Sequence, residues 1–145
     1  MPAIEKPLAP VPELAVARLK KLERSSVILE LDFFMTPAII GEEDTRMMNG
    51  YALMAVEEHQ GIVVGLEMLT AEPNVRAMRE RLPEVLAQHL FRARLLPAGI
   101  VVRSDLLANL IAPFARALDC ELHQSDALPN LDPAKESLMA HMIGE

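Results

Sequence analysis

Cysteine, aromatic residues and long apolar runs are all scarce in this sequence. A single cysteine, Cys120, has nothing to pair with, which excludes an intramolecular disulfide framework and a cysteine-cluster zinc site. Aromatic residues are 3% of the chain and tryptophan is absent, so the basic–aromatic interleaving of single-strand nucleic-acid binders is missing. No apolar run reaches the ~20 residues of a membrane span, and the N-terminus lacks the hydrophobic stretch of a secretory signal. Six glycines build no glycine-rich phosphate loop. What is present is aliphatic: 51% of the 145 residues are hydrophobic, too many for a disordered chain. Length and composition together predict a cytoplasmic, globular domain over residues 13–145, preceded by an extended arm, residues 1–12, that contains four prolines.

The charge is −7, opposite to the basic footprint of a nucleic-acid binder. It is unevenly spread. Residues 71–94 carry five arginines against three glutamates, a local excess of +2 that leaves −9 for the rest. A solvated helix face accounts for this excess, with a local anion or partner surface as the alternative.

Hydrophobic periodicity lays out the elements. A short helix is expected over Glu13 to Glu23, with Leu14, Ala17 and Leu22 toward the body. Ser26 to Phe34 reads as a strand, with Val27, Leu29, Leu31 and Phe33 on one face and Ile28, Glu30, Asp32 and Phe34 on the other. Residues 35–49 read as a polar connection holding Pro37, Gly41 and the acids Glu42, Glu43 and Asp44. Gly50 to Glu58 and Ile62 to Leu69 form a hairpin about the His59-Gln60-Gly61 turn. The period then lengthens. Thr70 is expected to cap a helix whose stripe runs from Val75 to Phe91, kinked or split by Pro83. Gly99 to Arg103 is a fourth strand, Ser104 caps a helix to Leu118 that Pro113 is expected to bend, and Cys120 to Gln124 is a fifth strand. Asp132 caps the last helix, with Pro133 at its first position. The expected fold class is α/β: a five-stranded mixed sheet with element order α-β-β-β-α-β-α-β-α, the fourth and fifth strands parallel to the first.

Most single residues have plain readings. The four histidines form no helical zinc motif, Cys120 reads as a small core residue, and no serine sits in a nucleophile elbow. Glu30 and Asp32 are different, because two carboxylates on one face of a central strand repel unless something compensates them. Three compensations are open: an ion pair with Arg103 on the adjacent fourth strand, solvation, or a metal ion. Five of the nine methionines (Met35, Met47, Met48, Met54 and Met68) gather around the meander, as gap-fillers or as an adaptable surface. The third strand is expected at the sheet edge, and its Ile62-Val63-Val64 run is unblocked by lysine or proline, so an edge-paired homodimer is a candidate assembly.

This order of elements resembles the ribonuclease H-like fold, in which the first strand is central and the fourth pairs beside it. Val27-Ile28-Leu29-Glu30-Leu31-Asp32 resembles the acidic first strand of that fold. Ile100-Val101-Val102-Arg103-Ser104-Asp105 resembles a fourth strand ending in aspartate, and Asp132-Pro133-Ala134-Lys135-Glu136-Ser137-Leu138 the acidic last helix. The resemblance implies two Mg or Mn ions held by clustered carboxylates, with Asp32 or Glu30 as the first-strand ligand and Asp105 and Glu136 as the others. Asp32, Asp105 and Glu136 would then be catalytic in a divalent-metal nuclease or phosphotransferase. No glutamate matches near the start of the first long helix, where Glu72 and Glu80 fall on either side of the place. The stretch from Gly99 to Leu138, with Val102-Arg103-Ser104-Asp105 and a later Leu128-Pro129, also resembles a family of bacterial domains of unknown function. Two functions remain open. The preferred one is a non-catalytic binding or interaction domain, for an unidentified protein partner or for itself; the other is the metal-dependent enzyme.

Overall fold

The computed structural model describes residues 9–40 and 48–143. Its ten elements are α1 (Glu13–Leu19), β1 (Ile28–Ile40), β2 (Met48–Glu57), β3 (Val63–Leu69), α2 (Val75–Glu80), α3 (Leu82–Ala93), β4 (Gly99–Val102), α4 (Asp105–Ala117), β5 (Glu121–Gln124) and α5 (Leu131–Met142). The five strands form one mixed sheet in the order β3-β2-β1-β4-β5. Neighbours β1 and β2, and β2 and β3, run antiparallel, while β4 and β5 run parallel to β1. The central first strand with the fourth beside it is the expected arrangement.

Alternation along β1 sorts the layers. Leu29 and Leu31 are fully buried in the main core, with Leu53 and Ala55 of β2, Ile100 and Val102 of β4, and the inner faces of α1 to α4. The opposite face carries a smaller core, where Met54 and Val56 pack with Leu128 and Leu131 beneath α5. Phe114 is the one aromatic among the largest fully buried side chains, so the interior is filled chiefly by leucine and isoleucine. That explains how a chain so poor in aromatics closes a core: aliphatic rotamers interdigitate densely without large rings.

Several boundaries differ from the pattern reading for physical reasons. β1 runs to Ile40, through Pro37, because its pairing with β2 shifts register between Met35 and Ile39 and the irregularity accommodates a residue without an amide donor. The acids Glu42, Glu43 and Asp44 lie outside the described residues. Pro83 splits the long helix in two: it falls in the first turn of α3, where its missing donor costs nothing, and α2 ends at Glu80. Thr70 does not cap α2. Asn74 does, its side chain accepting from the amide of Ala77 at 2.8 Å. Ser104 caps α4 as expected, accepting from Leu107 N at 3.0 Å.

α1 is shorter than expected and differently phased. Leu14 is 68% exposed, whereas Val16 and Leu19 are buried. Five of the seven residues of α1 are apolar and they surround the helix, so the pattern does not determine which face turns inward. Ala9 is buried and Val11 packs on the main core, so the described end of the arm lies against the body. The hairpin turn is built as expected. Gly61 takes φ +69°, and the Glu57 carboxylate accepts from the amides of His59, Gln60 and Ile62.

Candidate functional site

The face of the sheet beneath α5 carries the paired acids Glu30 and Asp32. Register places Glu30 of β1 beside Val101 of β4, and Val101 beside His123 of β5, so these three form a row across the sheet. Asp32 lies two residues further along β1, on the same face.

Glu30 is 2% exposed, and both of its carboxylate oxygens are engaged. Oε1 accepts from the backbone amides of Asn130 at 2.9 Å and Leu131 at 2.8 Å, and Oε2 accepts from the Asn130 side-chain amide at 2.8 Å. These donors are the start of α5, whose N-cap residue Asn130 makes no side-chain cap of its own. A helix begins with unpaired amide donors and a partial positive charge. Glu30 meets both needs from a strand a hundred residues away in the chain.

Asp132, expected as the cap, lies instead in the first turn of α5, and Leu131 rather than Pro133 opens the helix. Its carboxylate takes a short hydrogen bond from the Arg103 guanidinium and a long one, 3.4 Å, from the amide of Leu128. That Arg103 hydrogen bond holds the Asp132 carboxyl below the usual carboxylate range. It also raises Arg103, against the opposing effect of burial. Asp132 therefore binds fewer protons in the folded than in the unfolded chain. Its contribution is present above the unfolded value, about 4, and is lost as pH falls through the lower folded value. Urea midpoints are expected to fall below about pH 4, more steeply for wild type than for Asp132→Asn. Parallel curves for the two proteins would exclude this linkage.

Asp32, 6% exposed, has cations on its outer side. Lys135 Nζ of α5 donates to Oδ2 at 3.3 Å, the Arg103 guanidinium stands 4.0 Å from the same oxygen, and the Phe33 amide donates to Oδ1 at 3.0 Å. Lys135 also lies 4.5 Å above the Phe34 ring, a cation–π contact that holds the ammonium in place. Of the three compensations open for the paired acids, the structure uses the ion pair for Asp32, with Lys135 closer than Arg103. For Glu30 it uses a fourth, the capping of α5.

The remaining expected ligands, Asp105 and Glu136, are both exposed. Asp105 stands at the start of α4 and accepts from Gln124 Nε2 at 2.8 Å. Glu136 lies on α5. Among the described residues no group of three or more His, Cys, Asp or Glu side chains is placed to hold a metal ion. Cys120 is buried, donating to the Pro97 carbonyl at 3.0 Å, and burial pushes its thiol up. A thiol so placed is a poor nucleophile.

Beside the α5 terminus a cleft of about 470 Å³ opens, lined by Glu30, Glu58, His59, His123, Ser125 and Asn130 among others. Tertiary folding brings the β2–β3 turn and the end of β5 to one place here, so two histidines that are far apart in sequence share a wall. No helix among the described residues is long and apolar enough to cross a membrane.

The model of one protein family, a domain of unknown function (DUF6930), matches residues 15–139. The chain belongs to that family. No curated protein matches it. The DUF6930 match runs from within α1 to within α5 and so takes in Glu30, Asp32, Arg103, Asn130, Asp132 and Lys135 together. Asn130 and Lys135 are the partners of the paired acids that the sequence pattern does not single out. One signal for them existed. Two acids facing outward from a central strand require donors from whatever covers them, and Asp132 with Lys135, three apart, fall on one helical face.

Proposed function

We propose that this DUF6930 domain is a cytoplasmic, non-catalytic interaction domain on a ribonuclease H-like scaffold, engaging protein rather than nucleic acid or membrane. The strand order and the directions of β2 and β4 relative to β1 support the scaffold. One observation carries the function. Where the resemblance would seat cations against the first-strand acids, the Lys135 ammonium and the Arg103 guanidinium stand against Asp32, and Glu30 gives its oxygens to α5. Side-chain cations supply the neutralisation that divalent ions give in an active member, and a metal entering there would have to displace them. A net charge of −7 further favours a protein partner over a polyanion.

Calorimetric titration with Mg and Mn, on wild type and Asp32→Asn, tests this. The expected result is the same weak or absent heat for both proteins. Saturable binding that Asp32→Asn abolishes would overturn the proposal and favour the metal-dependent nuclease or phosphotransferase.

A further inference from the structure

Strand β3 ends the sheet, and no strand among the described residues pairs with its outer edge. Its sequence, Val63-Val64-Gly65-Leu66-Glu67-Met68-Leu69, holds neither lysine nor proline, two of the devices that keep an edge from recruiting another strand, and its one pairing irregularity, at Val63 to Gly65, leaves Gly65 to Leu69 in regular register. The opposite edge, β5, is only four residues long and exposes Glu121, His123 and Gln124. The two edges are therefore unequal, and β3 is the one open to pairing.

The two faces of β3 differ in chemistry. Leu66 and Met68 pair with Met54 and Ala52 of β2, which places them on the α5 side of the sheet. α5 packs mainly on β1 and β2, and leaves Val63 44% and Leu66 37% exposed at the edge, with Ile62 53% exposed just before it. On the other face, the ring of His89 from α3 lies over Gly65, its atoms 2.7–2.9 Å from where a Cβ would stand. His89 Nε2 lies 2.9 Å from Glu67 Oε1. Glu67 is the only charged residue of the strand.

We infer that two copies of this chain associate through antiparallel pairing of β3 with β3, in a register centred on Leu66. The inference rests on the interaction-domain reading and names the partner as a second copy. The strand is complementary to itself in this register. Leu66 meets Leu66 of the second copy across the two-fold axis, so each exposed leucine on the α5 side covers the other. Glu67 falls opposite the second copy's Gly65, so each carboxylate lies beside an imidazole ring and away from the other carboxylate. Centring on Glu67 would set the two acids face to face, which is destabilising. Centring on Gly65 would oppose two glycines, which pack nothing, and separate the leucines. Of these three registers, charge and shape favour the one centred on Leu66. The product is a continuous ten-stranded sheet with α3 of both copies on one side, the closed two-fold form commonest among soluble oligomers.

Light scattering coupled to size exclusion, from about 1 μM to about 1 mM, is expected to show the mass rising from 16.0 kDa to twice that value. Leu66→Lys acts twice across the axis and is expected to weaken association roughly tenfold or more. Leu14→Lys, at the most exposed leucine among the described residues and on α1, is expected to leave association unchanged. Register is read by mild oxidation: Leu66→Cys is expected to give a disulfide-linked dimer and Met68→Cys is not. This readout stands even if the lysine variant fails to fold. A monomer over the whole range, equal effects of the two lysines, or cross-linking at Met68→Cys in place of Leu66→Cys would overturn the inference. A monomer with silent metal calorimetry removes the dimer alone, whereas Asp32-dependent metal binding removes the interaction reading whatever the mass.

Discussion

Glu30→Ala is expected to lower stability by about 3–5 kcal/mol, a large fraction of what a domain of this size possesses. The substitution removes no salt bridge among the described residues. It strands three donors, the amides of Asn130 and Leu131 and the Asn130 side chain, at the buried entry of α5. Each unsatisfied buried donor costs about 1–3 kcal/mol unless water reaches it. The chain can limit the loss by releasing α5, so the cost is bounded by what docking of that helix contributes. Glu30→Gln should cost less, about 1–2 kcal/mol, because its remaining oxygen still accepts while its amide turns a donor toward Asn130. Urea denaturation measures the totals, and hydrogen exchange at Asn130 and Leu131 locates them. A Glu30→Ala protein within about 0.5 kcal/mol of wild type would show that the strand carboxylate does not hold the helix.

Lys135→Met is the second large effect, at about 2–3 kcal/mol. The ammonium is the nearest cation to Asp32, at 3.3 Å, and it also covers the Phe34 ring. Without it the buried carboxylate keeps the Phe33 amide, but the cation left beside it among the described residues is Arg103 at 4.0 Å, already bonded to Asp132. Asp32→Asn alone should cost less, about 1 kcal/mol, since Lys135 can turn toward water when its partner becomes neutral. Combining the two should recover most of the loss, with a coupling energy of about 1 kcal/mol or more in the double-mutant cycle. Strict additivity would mean that the pair does not interact.

The fold was largely legible in the sequence, because the two periods of secondary structure are clearly written. Alternation from Val27 to Phe34 established β1 and its two faces, and those faces are the ones observed. The β2–β3 hairpin, the Ser104 cap and the break at Pro83 each rest on a local steric or hydrogen-bonding rule, and each is present. Where rules were weaker, local reading failed. Pro37 reads as an end to β1 unless the pairing irregularity that admits it is known. Thr70 and Asn74 are both competent caps, and only the position of the chain selects Asn74.

The site was legible in part. That Glu30 and Asp32 face one way and require compensation follows from their spacing alone. What compensates them does not, because Asn130 and Lys135 lie about a hundred residues downstream. Charge in a sequence shows which groups seek partners, and tertiary folding decides which ones meet. Arg103 is the clearest case: it reaches Asp32, as the adjacency of β4 and β1 suggests, yet its short hydrogen bond goes to Asp132.

The capping of α5 by Glu30 also orders events in time. A twelve-residue helix is marginal in water on its own, and this one lacks a cap within its own segment. Its missing acceptor is a side chain of β1, oriented only once β1 is paired in the sheet. The last helix is thus conditional on the central strand. It has little reason to form while the rest of the chain is unstructured, and once formed it reports that the sheet beneath it is in register.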